Sequence, residues 1–366
     1  MKRIKIIAII LILISAILYL INFAVYKAVL SILDIFGFSF LVVSILSVLG
    51  VSTIVAIILG MRYYNLFTKI YYLFSMIWLG FLGYFFLASV LYLFLSAYMG
   101  NSIRFWGITL LSIATAVGIY GLMHANKFVI KNITIKLTGL PEIWQGRKAV
   151  WISDIHLGQI YGRKYTERIV KKIQNISPDI LFIGGDIFDG GTSPDILKFI
   201  EPLRELSVPL GKYFITGNHE EFESSDKFIA AIKSTGIRIL QDEMVEIEGV
   251  QLIGVDYNNA SNKDRFQKIL SELSIDKNKV SILLKHEPRH IAVAEQAGIS
   301  FQISGHTHKA QQWPLGYLAN LVYGRFAYGL NKLGNMQVYI SSGVGTWGPP
   351  IRVGTDSEIV IITFMQ

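Results

Sequence analysis

Side chains that bind metal ions occur in five short stretches of this sequence, and each stretch directly follows an apolar run. The stretch GGDIFDG, residues 184–190, places two aspartates among glycines directly after the run ILFI. A strand end rich in glycine and acid is a poor place to build a core, so another role must account for these aspartates. The stretches SDIHLG, GGDIFD, GNHEE, KHEP and SGHTHK together supply Asp154, His156, Asp186, Asp189, Asn218, His219, His286, His306 and His308.

Carboxylates, an amide and imidazoles are the ligand types of a two-metal centre. Two divalent ions about 3.5–4 Å apart need a bridging carboxylate within a mixed shell of oxygen and nitrogen ligands. The chain has no cysteine, and a set without thiolates suits Mn, Fe, Zn, Co or Ni better than copper or calcium. We therefore predict two divalent metal ions, with manganese favoured. Asp186 is the predicted bridge, because the adjacent glycine lets the backbone approach closely, and Asp189 is its supporting neighbour.

The apolar runs before these stretches read as strands of a layered α/β domain. Short β-branched runs alternate with amphipathic stretches, which is typical of strands and helices in turn. Strands are predicted over 148–153, 179–183, 212–216, 250–255 and 280–285, with further strands within 337–364. Helices are predicted over 163–176, 194–206, 224–235, 261–273 and 288–297. Sites in open α/β sheets assemble where strands run out into loops, so we expect the five stretches to meet at one edge.

The first third of the sequence predicts a membrane domain. Four apolar runs, near 6–26, 37–60, 70–98 and 105–123, contain no Asp, Glu, Lys or Arg. Each has about the 20 residues that a helix needs to cross a hydrocarbon core. Residues 1–126 hold seven basic residues and one acidic residue, so most of the net charge of +8 lies there. The basic balance therefore reflects charges that flank membrane segments, and we expect no nucleic-acid partner.

The predicted organisation is a four-helix transmembrane domain, 1–126, followed by a soluble domain, 127–366. Lysine and arginine in short loops favour the cytoplasmic side. They are concentrated before the first run, between the second and third, and after the fourth, whereas the other two loops hold only Lys27 and Arg104. We therefore expect a multi-pass protein of the cell membrane with a cytoplasmic catalytic domain. Transporter spans usually carry ionisable residues, so these uncharged spans indicate an anchor.

The five stretches, in their order along the chain, resemble the signature of the calcineurin-like metallophosphoesterases over residues 148–364. The tail YISSGVGTWGPPIRVG, residues 339–354, is similar to a membrane-linked bacterial branch related to UDP-2,3-diacylglucosamine pyrophosphatases. The resemblance implies a four-layer αββα sandwich. It also implies two ligand sets, namely Asp154, His156, Asp186 and His308 for one metal and Asp186, Asn218, His286 and His306 for the other. Lys309 departs from the glycine that this branch often has there, so the far rim of the pocket is expected to differ.

A second motif overlaps one of the ligand stretches. The stretch HEPRH, residues 286–290, matches the H-E-x-x-H zinc-protease pattern, which requires both histidines on one continuous helix. Pro288 inside that helix would cost about 3 kcal/mol, and the preceding residues read as a strand. We therefore interpret His286 as a ligand at a strand end and His290 as a residue of the first turn of a helix.

The expected reaction is hydrolysis of a phosphoester or pyrophosphate by a metal-bridging hydroxide, since divalent metals activate water and offset charge on phosphoryl oxygens. His219, beside Asn218, is the candidate to stabilise the transition state or protonate the leaving oxygen. Asp189 is expected to hold His219 in the useful tautomer. The leading interpretation is a membrane-anchored phosphohydrolase with a lipid-linked or membrane-proximal substrate.

Two other interpretations stay open. One is the same hydrolase acting on a soluble nucleotide or protein phosphate, and the other is a non-catalytic membrane scaffold. The aromatic and aliphatic stretch 311–334, QQWPLGYLANLVYGRFAYGLNKLG, bears on the substrate. A core hairpin is the favoured interpretation of this stretch, and an apolar pocket rim or membrane-dipping loop is the alternative.

Overall fold

The computed structural model describes residues 2–190, 195–222 and 225–366. The chain separates into two compact units, one containing residues up to 123 with 348–351, and the other residues 124–347 with 352–366. Residues 194 and 224, the predicted first residues of two helices, lie outside the described part of the chain.

Four long apolar helices form the amino-terminal part of the chain, as predicted. Their bounds are α1 Lys2–Leu33, α2 Ser39–Arg62, α3 Leu66–Met99 and α4 Arg104–Ala125. The shortest has 22 residues, or about 33 Å at 1.5 Å per residue, so each is long enough and apolar enough to cross a membrane. Many large apolar side chains point outward, such as Phe40, which is 82% exposed. Outward apolar side chains are what a lipid-facing helix requires.

Polar contacts within this unit occur between helices and at their ends. Ser52 of α2 and Ser75 of α3 share a buried hydrogen bond of 2.6 Å. Asp34, the one acidic residue among the first 126, pairs with Arg104 at 2.7 Å. Both residues of that pair lie outside the helices' apolar runs, so the runs themselves stay free of charge.

The carboxy-terminal unit contains two six-stranded mixed sheets. The first has the order β1–β12–β2–β3–β4–β5, and the second has the order β10–β11–β9–β8–β7–β6. The bounds are β1 Phe128–Lys136, β2 Lys148–Ile152, β3 Ile180–Ile183, β4 Lys212–Phe214, β5 Arg238–Ile239, β6 Glu243–Ile247, β7 Val250–Gly254, β8 Ser281–Leu284, β9 Phe301–Ser304, β10 Gly329–Leu333, β11 Met336–Ile340 and β12 Ser357–Met365. Most pairs are parallel, while β12–β2, β10–β11 and β6–β7 are antiparallel.

Eight further helices connect the strands within the described residues. Their bounds are α5 Arg163–Ile176, α6 Ile196–Ile200, α7 Asn218–Phe222, α8 Ser225–Lys233, α9 Tyr257–Ala260, α10 Lys263–Glu272, α11 Ile291–Gln296 and α12 Gly316–Tyr323. The helix predicted over 163–176 matches α5 at both ends. The one predicted over 194–206 is shorter, because a 3-10 segment with Pro202 near its start replaces its second half at Glu201–Glu205.

The two sheets pack face to face around one apolar layer. Trp151 and Phe182 of the first sheet join Ile282 and Phe301 of the second in this layer. Every residue of β3 is buried, as expected for a strand covered on both faces. A second cluster packs α10 and α11 against the outer face of the second sheet. The predicted α/β sandwich is therefore confirmed, with the helices outside and the two mixed sheets inside.

Strand polarity positions the chemistry. Strands β2, β3 and β4 run parallel in one sheet, and β8 and β9 run parallel in the other. Their carboxyl ends release the five ligand-bearing stretches into loops. Because parallel strands bring their carboxyl ends to one edge, both sheets contribute side chains to one place.

Candidate metal centre

The structure brings the predicted ligands together as two groups, and His156 and Asp186 also form a third group with His219. The ligand atoms of Asp154, His156 and His308 all lie within 4.8 Å of one another, and so do those of Asp186, His286 and His306. Asn218 joins the second group, since its Oδ1 lies 3.0 Å from His306 Nδ1 and 3.2 Å from His286 Nε2. All seven residues predicted as ligands therefore lie in one cluster.

Two carboxylates lie between the groups. Asp186 Oδ2 is 3.3 Å from His286 Nε2 and 3.9 Å from His156 Nε2, so its carboxylate reaches both halves. Asp154 Oδ1 is 3.6 Å from His308 Nε2 and 4.0 Å from His286 Nε2. Asp186 thus has the placement expected of a shared ligand, and Asp154 also reaches toward the second half.

The donor set fits divalent cations. Asp154 and His286 are fully buried, and Asp186 and His156 are each 2% exposed. Ring nitrogens face one another at short range, with His156 Nε2 3.1 Å from His308 Nε2 and His286 Nε2 3.2 Å from the facing nitrogen of His306. Buried carboxylates need a compensating positive charge, and facing imidazole lone pairs need a shared cation. Two metal ions would satisfy both requirements.

The pKa values of the ligand histidines diverge, because buried carboxylates and neighbouring rings act on them in opposite directions. Burial alone would lower the pKa of His286, but the Asp186 carboxylate raises it to about 10. Burial and the neighbouring His286 lower the pKa of His306 to about 4. Burial, with His156 and the Arg352 guanidinium nearby, holds the pKa of His308 well below its usual value. A metal ion binds the neutral imidazole, so metal binding at His286 would release the proton of that ring.

The local backbone is strained at the ligands. Asp154, His156, Asp186, His306 and His308 all have left-handed φ values between 47° and 69°, a region that non-glycine residues occupy rarely and that clusters at functional sites. Adjacent glycines make room for the two aspartates. A Cβ at Gly217 would lie 2.1 Å from Asp186 Oδ1, and one at Gly305 would lie 2.4 Å from Asp154 Oδ2.

His219 and Asp189 lie beside the first group, and the backbone of Asp189 contacts the ring of His219. The Asp189 carbonyl oxygen, 3.1 Å from His219 Nδ1, is the atom that holds the ring. The Asp189 carboxylate instead lies 3.3 Å from His156 Nδ1. A carbonyl only accepts hydrogen bonds, so this contact requires a proton on His219 Nδ1 and leaves Nε2 as the other exchange position. The expected orienting contact exists, but the backbone makes it.

Glu220 is a buried residue of the site that the sequence analysis did not single out. Its carboxylate accepts hydrogen bonds from the backbone N–H groups of Asp186, Ile187 and Gly217, each at 2.8 Å, and of Phe188 at 3.2 Å. Burial, together with the Asp186 carboxylate, raises the pKa of Glu220 to about 7. The sequence signal for Glu220 was an acidic residue directly after the GNH stretch. Its role is to hold the GGDIFD loop in place.

Arg352 is a second residue that sequence reasoning missed. This fully buried guanidinium donates to the Ser342 carbonyl at 2.7 Å and to Thr355 Oγ1 at 2.9 Å, and it lies 3.3 Å from His308 Nδ1. Its position in the GPPIRVG tail was the only sequence signal. Arg352 therefore ties the tail to the ring of His308.

The second group has an outer contact through Glu287. Glu287 Oε1 lies 3.6 Å from His306 Nε2 and accepts a hydrogen bond from the Tyr323 hydroxyl at 2.8 Å. Tyr323 is the last residue of α12. His290, by contrast, lies outside the cluster at the residue before α11, where its Nε2 is 3.0 Å from the Ser261 carbonyl oxygen. HEPRH is therefore not one helix, as the sequence indicated, but His290 precedes α11 and does not lie in its first turn.

The core-hairpin interpretation of 311–334 is wrong for most of that stretch. Only Gly329–Leu333 forms a hairpin strand, pairing with β11. The residues before it form α12 and a 3-10 turn, Gly324–Ala327, with several large apolar side chains in solvent. Leu321, for example, is 82% exposed. The alternative of an exposed apolar rim describes the stretch better.

The region that holds this site matches a known enzyme family. Residues 147–310 match the family model of the calcineurin-like phosphoesterases, and all seven predicted ligands lie inside that range. An uncharacterized metallophosphoesterase of Aquifex aeolicus is 31% identical over 257 residues, covering 69% of this chain and 97% of the relative.

Two further relatives are longer than the matched region. An uncharacterized metallophosphoesterase of Campylobacter jejuni is 30% identical over 238 residues, which are 64% of this chain and 62% of the relative. A Danio rerio protein named transmembrane protein with metallophosphoesterase domain is 31% identical over 274 residues, 70% and 62% of the two chains. The match thus spans about 60% of the length of these two relatives. The finer resemblance to the UDP-2,3-diacylglucosamine branch stays a prediction. The chain belongs to the calcineurin-like metallophosphoesterase family.

Proposed function

We propose that the protein is a membrane-anchored phosphohydrolase with a two-metal centre, which cleaves a phosphoester or pyrophosphate on a lipid-linked or membrane-proximal substrate. The observation that carries the proposal is the pair of ligand groups joined by Asp186, in a chain that also has four helices long and apolar enough to cross a membrane. The family membership supplies the reaction class, and the apolar helices supply the location.

In this proposal, Asp154, His156, Asp186 and His308 hold one ion, and Asp186, Asn218, His286 and His306 hold the other. Manganese is the favoured metal. Divalent ions in such a centre lower the pKa of water and offset the charge on phosphoryl oxygens. Burial of the ligands supports the assignment, because electrostatic interactions are stronger where water is excluded.

The residues around the ions have separate tasks. Hydrolysis adds the oxygen of water to phosphorus, breaks the bond to the leaving oxygen and leaves that oxygen in need of a proton. His219 is the proposed donor of this proton or stabiliser of the charge that builds up there. The Asp189 carbonyl orients the ring, and Glu220 holds the backbone of Asp186. The positions of these groups support the assignment.

The location of the substrate rests on connectivity. Only two residues separate the end of α4, Ala125, from the start of β1, Phe128, so the tether is about 10 Å long when extended. A catalytic unit on so short a tether stays near the bilayer surface. The distribution of lysine and arginine between the short loops supports a cytoplasmic position for it, in a multi-pass protein of the cell membrane.

The test compares two substrates with the same phosphate headgroup, one acylated and one without acyl chains. The full-length protein, loaded with manganese in nanodiscs, should hydrolyse the acylated form with a kcat/KM at least about tenfold higher. Each buried CH₂ contributes about 0.8 kcal/mol, so a few methylenes suffice for this difference. Equal kcat/KM values would favour the soluble-substrate hypothesis, and a metal-loaded protein inactive on all phosphoesters and pyrophosphates would favour the scaffold.

A further inference from the structure

The exposed apolar side chains of the catalytic unit are concentrated on one short segment. Among the described residues after 125, ten large apolar side chains are strongly exposed, and six of them lie within 313–322. These six, called here the α12 face, are Trp313, Leu315, Tyr317, Leu318, Leu321 and Val322, with exposures between 46% and 82%. A contiguous apolar patch of this kind marks an interaction surface rather than scattered surface residues.

Helix geometry explains why these side chains share a surface. Leu318, Leu321 and Val322 are spaced at i, i+3 and i+4, so they lie on one face of α12. Ala319, by contrast, is only 9% exposed and packs inward. The helix therefore presents its aliphatic side outward and uses its smallest side chain to approach the domain.

The segment is firmly held from both ends. At its start, the Trp313 N–H donates to the Val353 carbonyl oxygen at 2.8 Å. At its end, the Tyr323 hydroxyl donates to Glu287 at 2.8 Å. Just beyond, Thr307 Oγ1 donates to the carbonyl oxygen of Ala327 at 2.7 Å. The α12 face is thus a fixed platform, and through Glu287 it is connected to His306 of the candidate centre.

The segment that carries the α12 face holds basic residues and no acidic one, while the Glu287 and Glu358 carboxylates accept hydrogen bonds from Tyr323 and Tyr328. Residues 296–355 contain no Asp or Glu, while Lys309, Arg325 and Lys332 lie in this stretch. A cleft of about 360 Å³ lies beside α12 and is lined by Lys309, Arg325, Asn320, Tyr328, Trp313 and Tyr317. Lys309 Nζ is 4.8 Å from the centre of the Tyr328 ring, so the cleft combines cations with aromatic walls.

We propose that the α12 face inserts into the bilayer interface and that the adjacent cleft takes up an anionic lipid headgroup through Lys309 and Arg325. Apolar side chains next to basic ones are the composition of interfacial membrane elements, and basic groups are attracted to anionic leaflets. Lys309 directly follows the predicted ligand His308 in the chain, so one loop contributes to both the cleft and the centre. The inference deepens the proposed function, on which its consequence for substrate access rests.

A bilayer fits this surface better than a second copy of the chain. A two-fold interface sets the same patch against itself, so it would bring Lys309 and Arg325 of one copy toward the same cations of the other. An anionic leaflet has the opposite charge. The chain also carries its own apolar helices and a two-residue tether to the catalytic unit, which keeps a membrane within reach.

The chain has no cysteine, so single-cysteine labelling tests the insertion without any activity measurement. Full-length Leu321→Cys, carrying an environment-sensitive fluorophore, is placed in nanodiscs with brominated acyl chains. Ile143→Cys, 55% exposed on the same unit, is the matched control. We expect strong quenching and a blue shift at 321 and little change at 143. No quenching at 321, or equal quenching at both positions, would overturn the proposal. Concentration-dependent cross-linking between copies of Leu321→Cys through the introduced thiol, without quenching, would overturn it as well.

The contribution of the basic side chains of the cleft is tested by varying the charge of the lipid. Quenching at position 321 should be stronger in nanodiscs with anionic lipid than in purely zwitterionic ones, and Arg325→Glu should remove that difference. A variant with Leu318→Ser and Leu321→Ser should lose about tenfold in hydrolysis of a bilayer-embedded phosphoester and keep its rate on a water-soluble ester. A parallel loss on both substrates would contradict the docking role. A wild-type protein that is inactive on both but still quenched would refute only the proposed function.

Discussion

The buried carboxylate of Glu220 accepts a hydrogen bond from the backbone N–H of Asp186 at 2.8 Å. Glu220 thus fixes the main chain of the residue that is predicted to join the two metals. The same carboxylate binds three more N–H groups of the two loops that meet there. Glu220, which does not belong to the predicted ligand set, therefore positions Asp186 through its backbone.

This contact predicts a large effect of Glu220→Gln. The amide replaces one acceptor oxygen by a donor, which faces backbone N–H donors and leaves some of them unpaired. Partners that orient metal ligands typically contribute 10–100-fold to metal affinity or activity, and we expect a loss in that range, measured as manganese affinity and turnover. Glu246→Gln, at an exposed ion pair with Lys279, is the control and should change neither. Unchanged affinity in Glu220→Gln would remove this role.

The centre is expected to hold two divalent ions per chain. Elemental analysis of the gently purified full-length protein should give a metal-to-protein ratio near two. Asp186→Ala should lower it most, because that carboxylate reaches both groups. His308→Ala should affect the first group only. A wild-type ratio of one or less with manganese in excess would contradict the two-metal assignment.

His219 is expected to act in the chemistry and not in metal binding. His219→Ala should lower kcat by about 10²–10⁴-fold, the usual range for a positioned acid–base group, with both metals retained. Full activity of this variant on a good substrate would refute the role.

Asp189→Asn separates the two contacts of that residue. The substitution keeps the backbone carbonyl that holds His219 and changes only the side chain beside His156. We expect weaker metal binding and a smaller loss of kcat at saturating metal than in His219→Ala. A loss of kcat equal to that of His219→Ala with normal metal affinity would instead favour a carboxylate that orients His219 directly.

The raised pKa of Asp256 predicts that Asp256→Asn stabilises the folded protein to an extent that depends on pH. Burial, with the carboxylates of Asp242 and Glu221 nearby, raises the pKa of Asp256 from 3.8 to about 6. The folded state then binds this proton more tightly than the unfolded state, so the stability contribution is present below about pH 4 and lost as the pH rises through about 6. Asp256→Asn should therefore stabilise the protein at pH 8, by at most about 3 kcal/mol.

The measurement for Asp256→Asn is the difference in Tm between variant and wild type, taken at each pH with the same metal and detergent. Asp256 precedes α9, but its side chain makes no capping hydrogen bond there, so the substitution removes no contact at the helix start. The difference should shrink to nothing near pH 4. A difference that is constant with pH would show that the charge of Asp256 is not its source.

The predicted topology can be tested with the same cysteine-free background. Lys268→Cys, at a side chain 74% exposed, should stay unlabelled by a membrane-impermeant maleimide in intact spheroplasts and react after lysis. Labelling in intact spheroplasts would place the catalytic unit outside the cytoplasm and the substrate with it.

Local chemistry in the sequence determined which residues meet at the centre. Each of the five stretches follows its own strand, and strand polarity depends on alternating strands and helices that can be recognised within a few residues. Asp154 and His308 are 154 residues apart (308 − 154), yet each was identified from its immediate neighbours. For the same reason α5 was predicted to the residue, since its amphipathic period is complete within its 14 residues.

Only the tertiary structure decided how these groups are supported and what the remaining surface does. Whether the carbonyl or the carboxylate of Asp189 meets His219, and whether Arg352 reaches His308, depends on how loops from distant strands settle against one another. The same holds for the stretch 311–334, whose composition suits a core and an interface equally. Its apolar side chains became a surface because the inner layer between the sheets is already filled by Trp151, Phe182 and Phe301, and a close-packed layer has no room for a second set.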